Sequence, residues 1–202
     1  MAHPVSGSDA LDLACGTGDI AFLLARGGAH VTGLDLTIRM IELARARAAS
    51  EDGARGVTFV AGDMGRLPFG DSRFDLVTTG YGLRNVPDLG RAIAEIRRVL
   101  RPGGRVLSLD FNRPPRAPVR LIYHAYLTVA GSLLGWALHR DPNTYRYIPE
   151  SIRIYPGAEP VVRLFEAQGF TEVKWHRVLG GLMAMHEARV PVSCQPPPAA
   201  SS

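Results

Sequence analysis

Short, nearly continuous apolar runs alternate along the chain with segments whose apolar residues recur every three or four positions. Ala10–Ala14, His30–Asp35, Val57–Ala61, Phe74–Thr79 and Arg105–Phe111 are the runs. Each has the length and composition of a strand buried on both faces. Between them, Ile20–Arg26 reads as a short helix stopped by Gly27-Gly28. Ile38–Ala49 carries Ile38, Ile41, Leu43, Ala44 and Ala48 with charges between them, the pattern of a surface helix. Asp88 can cap a helix running to Leu100 that Pro102-Gly103-Gly104 closes. Strand and helix in alternation predict an α/β fold, a parallel sheet covered on both faces with ligands at the carboxyl ends of its strands.

After Asn112 the pattern changes. Arg113-Pro114-Pro115-Arg116 is a break, and Leu121–Leu138 then runs eighteen residues without Asp, Glu, Lys or Arg. That length lies at the lower edge of what spans a bilayer. With His124, Tyr123, Tyr126, Thr128, Gly131 and Gly135 in it, the run reads as a packed helix or as a lid. Such a lid would turn an apolar face to a greasy substrate or a membrane surface, between Arg113, Arg116, Arg120 and Arg140. Tyr145–Pro156 is rich in tyrosine and charge. Val161–Gln168 reads as a helix ended by Gly169, and Phe170–Val178 pairs with Leu182–Val190 as a hairpin through Gly180-Gly181. The division expected is one domain over 1–190, a lid insertion over 113–156 and a disordered tail over 191–202, where Pro196-Pro197-Pro198 lies.

Composition narrows the class. The chain has 202 residues, 46% of them hydrophobic, enough for one full core. The net charge of +4 is dispersed, mostly as arginine, and makes no demand for nucleic acid. Cys15 and Cys194 are far apart, so no disulfide framework is expected and a reducing, cytoplasmic compartment fits. The N-terminus shows no basic-then-apolar signal-peptide pattern, so none is expected, and no metal is expected.

The chemistry gathers at Asp12-Leu13-Ala14-Cys15-Gly16-Thr17-Gly18-Asp19, read as strand, tight turn and helix. Gly16 and Gly18 can take positive φ and let a ligand sit on the backbone, with helical N–H groups aimed into the gap. Asp35, closing the second strand, can hold both hydroxyls of a ribose. That suits a nicotinamide dinucleotide or another adenosine compound. Gly62-Asp63-Met64 tilts the choice to the second: Asp63 can accept from an adenine amino group while the Met64 N–H meets a ring nitrogen. Asp12, below the turn, is placed to hold the loop or a ligand ammonium.

The segments DLACGTGD, GLDLTIRM, AGDMGRLPF and RVLRPGGR resemble the motifs of class I S-adenosylmethionine-dependent methyltransferases. More narrowly, GYGLRNVPD, LDFNRP, TYRYIPESIRIYP and EAQGF…GGLMAMH resemble the ubiquinone/menaquinone biosynthesis C-methyltransferase family, from about Asp12 to His186. The resemblance implies a Rossmann-like fold: a mostly parallel seven-stranded sheet with an antiparallel C-terminal hairpin and a helical lid insertion. It implies S-adenosyl-L-methionine as cofactor, bound by Thr17, Asp35, Asp63 and Met64, with Gly80 touching it through backbone only. Asp12, Gly16 and Gly18 complete the expected cofactor set. The implied reaction is methyl transfer to a ring carbon of a polyprenylated quinol, either demethylmenaquinol or the ubiquinone-pathway benzoquinol.

A quinol carbon is a poor nucleophile until a ring hydroxyl, titrating near about 10, loses its proton. Arg84 and Asn85 are the expected catalytic pair. Arg84 stays protonated and would stabilise the quinolate, while Asn85 would orient the hydroxyl. His124, Asp110 and His186 are the weaker candidates for a base. Family members usually carry helices before the first strand that cover the cofactor, and the expectation is a chain without that cover. Two alternatives stay open: a methyltransferase acting on another lipophilic acceptor, and a non-catalytic cofactor-binding subunit. Expected partners are the quinol, the inner membrane face by peripheral contact, and a second copy of the chain.

Overall fold

The computed structural model describes residues 6–50, 56–112, 129 and 147–192. The expected lid run, with His124, Tyr145 and the arginines 113, 116, 120 and 140, lies outside them, as do Cys194 and the proline tail. The strands are β1 (Asp9–Leu13), β2 (His30–Asp35), β3 (Thr58–Ala61), β4 (Phe74–Gly80), β5 (Leu100–Phe111), β6 (Thr171–Val178) and β7 (Met183–Arg189). The helices are α1 (Asp19–Arg26), α2 (Ile38–Ser50), α3 (Leu89–Val99), α4 (Tyr147–Ile154) and α5 (Ala158–Ala167). The strands form one seven-stranded sheet in the order β3-β2-β1-β4-β5-β7-β6. Five strands run parallel, and β7 joins β5 and β6 antiparallel.

Two apolar layers cover the sheet. Ala10, Leu76 and Leu107 pack with Phe22 of α1 and Ile41 of α2 on one face. Leu11, Leu13, Val77 and Val106 pack with Ile93 and Ile96 of α3 and Phe165 of α5 on the other. Asp88 caps α3 as its sequence suggests, accepting the Arg91 N–H at 2.9 Å.

Most boundaries shift by one residue from the sequence reading, and three differences are larger. Helix α3 ends at Val99, and β5 already starts at Leu100, so Pro102-Gly103-Gly104 lies inside extended chain. The cause is local: Arg101 precedes a proline, which disfavours helix. The glycines then pair with the residue after β7, Gly103 N–H to the Val190 carbonyl at 3.0 Å and Val190 N–H to the Gly104 carbonyl at 2.8 Å. Helix α5 starts three residues early, because the Ala158 N–H is satisfied by Asn112 Oδ1 at 3.1 Å. Part of the tyrosine-rich segment is helix α4, whose Pro149 falls in the first turn, where a missing N–H costs nothing.

Candidate active site

From β1 the chain goes outward to β2 and β3, then returns to place β4 on the other side of β1. The carboxyl ends of β1 and β4 therefore flank a topological switch point, where open α/β sheets bind ligands. The backbone is strained there. Ala14, just past β1, has φ +52°, and Tyr81, just past β4, has φ +60°. Non-glycine residues tolerate that region only when their surroundings enforce it.

The two turn glycines divide the work expected of them jointly. Gly16 has φ +53°, and a Cβ there would meet nothing within 4 Å, so its backbone is open to a ligand. Gly18 caps α1 with φ +93°, but a Cβ on it would press on the Phe22 and Phe59 rings at 2.9–3.0 Å. Its smallness serves packing. Asp35 ties the turn to β2: its Oδ2 accepts the Gly16 N–H at 2.9 Å and its Oδ1 the Thr37 N–H at 2.8 Å. Each carboxylate oxygen keeps a further lone pair for a hydroxyl. From the opposite side Arg47 of α2 donates to the Thr17 carbonyl and Oγ1, both at 3.0 Å, and to Asp19 Oδ1 at 2.8 Å. Its guanidinium also lies 5.2 Å from the centre of the Phe22 ring. The sequence reading missed Arg47, which there looks like any charge on a surface helix.

Asp12 is 1% exposed on the α1 face of the sheet. Its Oδ1 accepts the Thr78 hydroxyl at 2.8 Å, while Oδ2 has no partner among the described residues. Burial pushes its carboxyl up to about 7, against the pull of Thr78 and the Ala21 N–H. The structure thus places it beneath the loop, toward the start of α1. Cys15 is buried in the turn, and burial raises its thiol.

On the third-strand side, Asp63 is exposed and its Oδ1 accepts the Gly65 N–H at 2.8 Å. Met64 is buried and runs under the loop after β4. A Cβ on Gly82 would meet its Cε at 3.2 Å, Ala14 Cβ at 2.8 Å and Thr79 Oγ1 at 2.5 Å, so only glycine lets the two loops approach this closely. A Cβ on Gly80 would meet Ile20 Cδ1 at 2.8 Å. Leu36, one residue past Asp35, is 74% exposed beside these groups.

Arg84 lies in a short 3-10 turn, Leu83–Asn85, and is 5% exposed in its side chain. Its Nη1 donates to Asp110 Oδ1 at 2.8 Å, its backbone N–H to Asp110 Oδ2 at 3.1 Å and its Nε to Ser151 Oγ at 3.2 Å. The guanidinium stands 4.9 Å from the Phe111 ring centre and 5.5 Å from that of Tyr81. Nη2 makes no hydrogen bond among the described residues. Asp110 also accepts the Phe111 N–H at 2.8 Å. Burial raises the Asp110 carboxyl and outweighs the opposing pull of Arg84. Asn85 is exposed, and its Nδ2 donates to the Tyr81 carbonyl at 3.0 Å. The sequence candidates therefore fall in two groups at the carboxyl end of the parallel strands: the glycine turn with Asp35, Asp63 and Met64, and the Arg84 loop with Asp110.

The chain matches the ubiE/COQ5 methyltransferase family over residues 1–189. It is 38% identical to a demethylmenaquinone methyltransferase of Clavibacter sepedonicus over 98% of this chain and 80% of that protein. It is 40% identical to a ubiquinone/menaquinone biosynthesis C-methyltransferase UbiE of Paracoccus denitrificans, over 91% of this chain and 74% of that protein. Among solved structures, a SAM-dependent methyltransferase of Methanosarcina mazei superposes with TM-score 0.67 at 23% identity, covering 95% of this chain and 96% of that one. A phosphoethanolamine N-methyltransferase 2 of Haemonchus contortus, in complex with S-adenosyl-L-methionine, superposes with TM-score 0.68 at 18% identity, over 93% of this chain and 50% of that one. With its sheet order, its glycine turn at the switch point and this match over residues 1–189, the chain belongs to the ubiE/COQ5 methyltransferase family.

Proposed function

We propose that the protein methylates a ring carbon of a polyprenyl quinol with S-adenosyl-L-methionine as donor. The acceptor is demethylmenaquinol or the benzoquinol of ubiquinone synthesis. One observation carries the reading beyond family membership. Arg84 is a buried cation clamped by Asp110 on the loop after β4, at the same carboxyl end of the sheet as the glycine turn.

The residues present fit the cofactor. Gly16 opens to space at its α-carbon, and Asp35 keeps lone pairs for ribose hydroxyls. Thr17, Gly18, Asp63, Met64 and the Gly80 backbone complete its holding groups, and Asp12 supports the turn from below. When bound, S-adenosyl-L-methionine supplies an electrophilic methyl group on a sulfonium. The chain supplies the rest. A phenol titrates near about 10, so the site must favour the quinolate. Arg84 does so as a fixed charge whose Nη2 is available to the oxygen; because it stays protonated, it is no base. Asn85 orients the hydroxyl from the rim of the loop. A polyprenyl tail keeps the acceptor in the bilayer, so this reading includes peripheral membrane contact. No helix among the described residues is long and apolar enough to cross a membrane.

Calorimetric titration with S-adenosylhomocysteine tests the cofactor half, with Asp35→Ala as control. Binding lost in the control supports it, and no binding by folded wild-type chain overturns it. Transfer of labelled methyl to demethylmenaquinol, lost in Arg84→Ala while S-adenosylhomocysteine still binds, supports the acceptor half. Methylation of a sterol or a phospholipid amine in its place overturns it.

A further inference from the structure

One row of side chains crosses the sheet beneath the Arg84 loop. Thr79 on β4 pairs with Ser108 on β5, and Ser108 pairs with His186 on β7. Residues in register share a face, so the three lie side by side, with Cβ atoms about 4.5–5.5 Å apart. All three are buried, Ser108 and His186 to 1% exposure. Thr79 Oγ1, Ser108 Oγ and His186 Nδ1 each lack a hydrogen-bond partner among the described residues. Buried polar atoms left unpaired cost about 1–3 kcal/mol each, and native proteins satisfy such clusters with ordered water.

The row has a direction. Asp110 is two residues beyond Ser108 on the same face of β5, roughly 7 Å toward the carboxyl end. It pairs with Ala184, which has a small side chain. Tyr155, from the turn after α4, is buried there with its hydroxyl also unpaired, and it feels the charges of Asp110 and Arg84. At the far end the His186 ring is fixed. Its Nε2 is 3.0 Å from the Ala158 carbonyl, an acceptor only, so Nε2 carries the proton and Nδ1 keeps a lone pair with no partner among the described residues. Phe165 packs against the ring, with centroids 6.2 Å apart.

Resting on the quinol reading above, we propose that buried water along Ser108 and Thr79 links the Arg84–Asp110 end of this face to His186, and that His186 Nδ1 takes up the proton the acceptor hydroxyl gives up. The O–H bond breaks with its electron pair left on the quinolate oxygen. The proton passes by exchange along the water and forms Nδ1–H, making an imidazolium whose Nε2–H still donates to Ala158. Once the methylated ring carbon has lost its hydrogen to solvent, the stored proton returns to the oxygen and His186 is neutral again. Arg84 holds the anion in the interval. His186 acts through water and is a positioning residue for the proton.

The surroundings suit a neutral imidazole at rest. Burial lowers its proton affinity, with the Ala158 carbonyl opposing. Lys174 and His176 on β6 and Glu187 on β7 alternate to the other face of the sheet. Glu159, Arg163 and Glu166 of α5 are exposed. Arg177 of β6, level with Ala184, shares the face of His186 but is exposed and lies over the Trp175 ring. Asp110, Arg84 and Tyr155 are the buried ionisable groups on this face.

Two measurements decide the matter. The first needs no turnover. An atomic-resolution crystal structure of the protein, with nitrogen NMR of the His186 ring, should show ordered water bonded to Ser108 Oγ and to an unprotonated Nδ1. A dry row or an Nδ1–H tautomer overturns the proposal, whatever the acceptor proves to be. The second compares Ser108→Ala, which removes one hydroxyl from a buried strand, and His186→Gln, which keeps a donor for Ala158. In both, kcat should fall at least tenfold with KM for the quinol and affinity for S-adenosylhomocysteine little changed. His186→Gln should also lose the acid limb of the kcat–pH profile. A wild-type profile in both variants overturns the proposal. A wild-type enzyme inactive on quinols overturns the acceptor reading, and the water and tautomer result then decides alone.

Discussion

Replacing either member of the Arg84–Asp110 pair should destabilise the protein, and the two replacements should differ. Removing one partner of a buried ion pair costs about 3–5 kcal/mol, because the other charge stays buried alone. After Asp110→Asn the stranded group is a guanidinium, which cannot shed its proton. Only one of the two backbone donors held by Asp110, those of Arg84 and Phe111, would keep a good acceptor. That variant should sit at the upper end, about 4–5 kcal/mol. After Arg84→Met the stranded group is a carboxyl whose proton affinity burial already raises, and it can neutralise itself. Its cost should be about 2–3 kcal/mol at neutral pH and shrink as the pH falls. The double variant should resemble Arg84→Met, since the neutral amide in place of the carboxylate leaves no charge behind. Urea unfolding of the four proteins at two pH values measures all of this. Methyl transfer should be lost in all three variants, with S-adenosylhomocysteine binding retained in Arg84→Met. Losses below about 1 kcal/mol for both single variants, the range of an exposed pair, would refute the reasoning.

Two further predictions concern the glycine turn. The Asp12 carboxyl, at about 7 when folded, lies above its ordinary 3.8, so the folded protein holds a proton the unfolded chain releases. Stability present below the lower value is lost as pH rises through the higher one, about 4 kcal/mol in all, and Asp12→Asn should lack that decline when unfolding is followed from pH 4 to pH 8. Arg47→Ala removes the donor to Thr17 and Asp19 and should weaken S-adenosylhomocysteine binding about tenfold by calorimetry, while leaving the fold intact, since its ion pair with Asp19 is largely exposed.

β1 and β4 were legible because they are buried on both faces and read as single apolar runs, and β2 spans the same His30–Asp35 that its sequence pattern gives. The start of β5 was not, because Leu100 is held by Phe74 of β4 and Gly103 and Gly104 by Val190, partners far away in the chain. The site shows the same division. Gly16, Asp35, Asp63 and Met64 are local motifs at strand ends and could be placed from spacing. That Arg84 is clamped by Asp110 depends on β4 and β5 lying side by side in one register, which no local pattern encodes. Asp110, a candidate base from its sequence position, accepts three hydrogen bonds, two of them from Arg84, which no local pattern encodes. Arg47 is one arginine among many on a polar helix until α2 packs over the turn.

The carboxylate of Asp35 has a consequence for how this site can change. Position 35 is the usual handle for rewriting nucleotide preference in such folds, because an acid there favours ribose hydroxyls. In this chain the same two oxygens are also the acceptors for Gly16 and Thr37. Any replacement that alters ligand choice therefore also unfastens the loop on which the ligand rests. A lineage exploring new cofactors must first secure the turn by other means, so this position is an evolutionary lock, and engineering of the donor should begin elsewhere on the rim, with exposed Leu36 the more permissive neighbour.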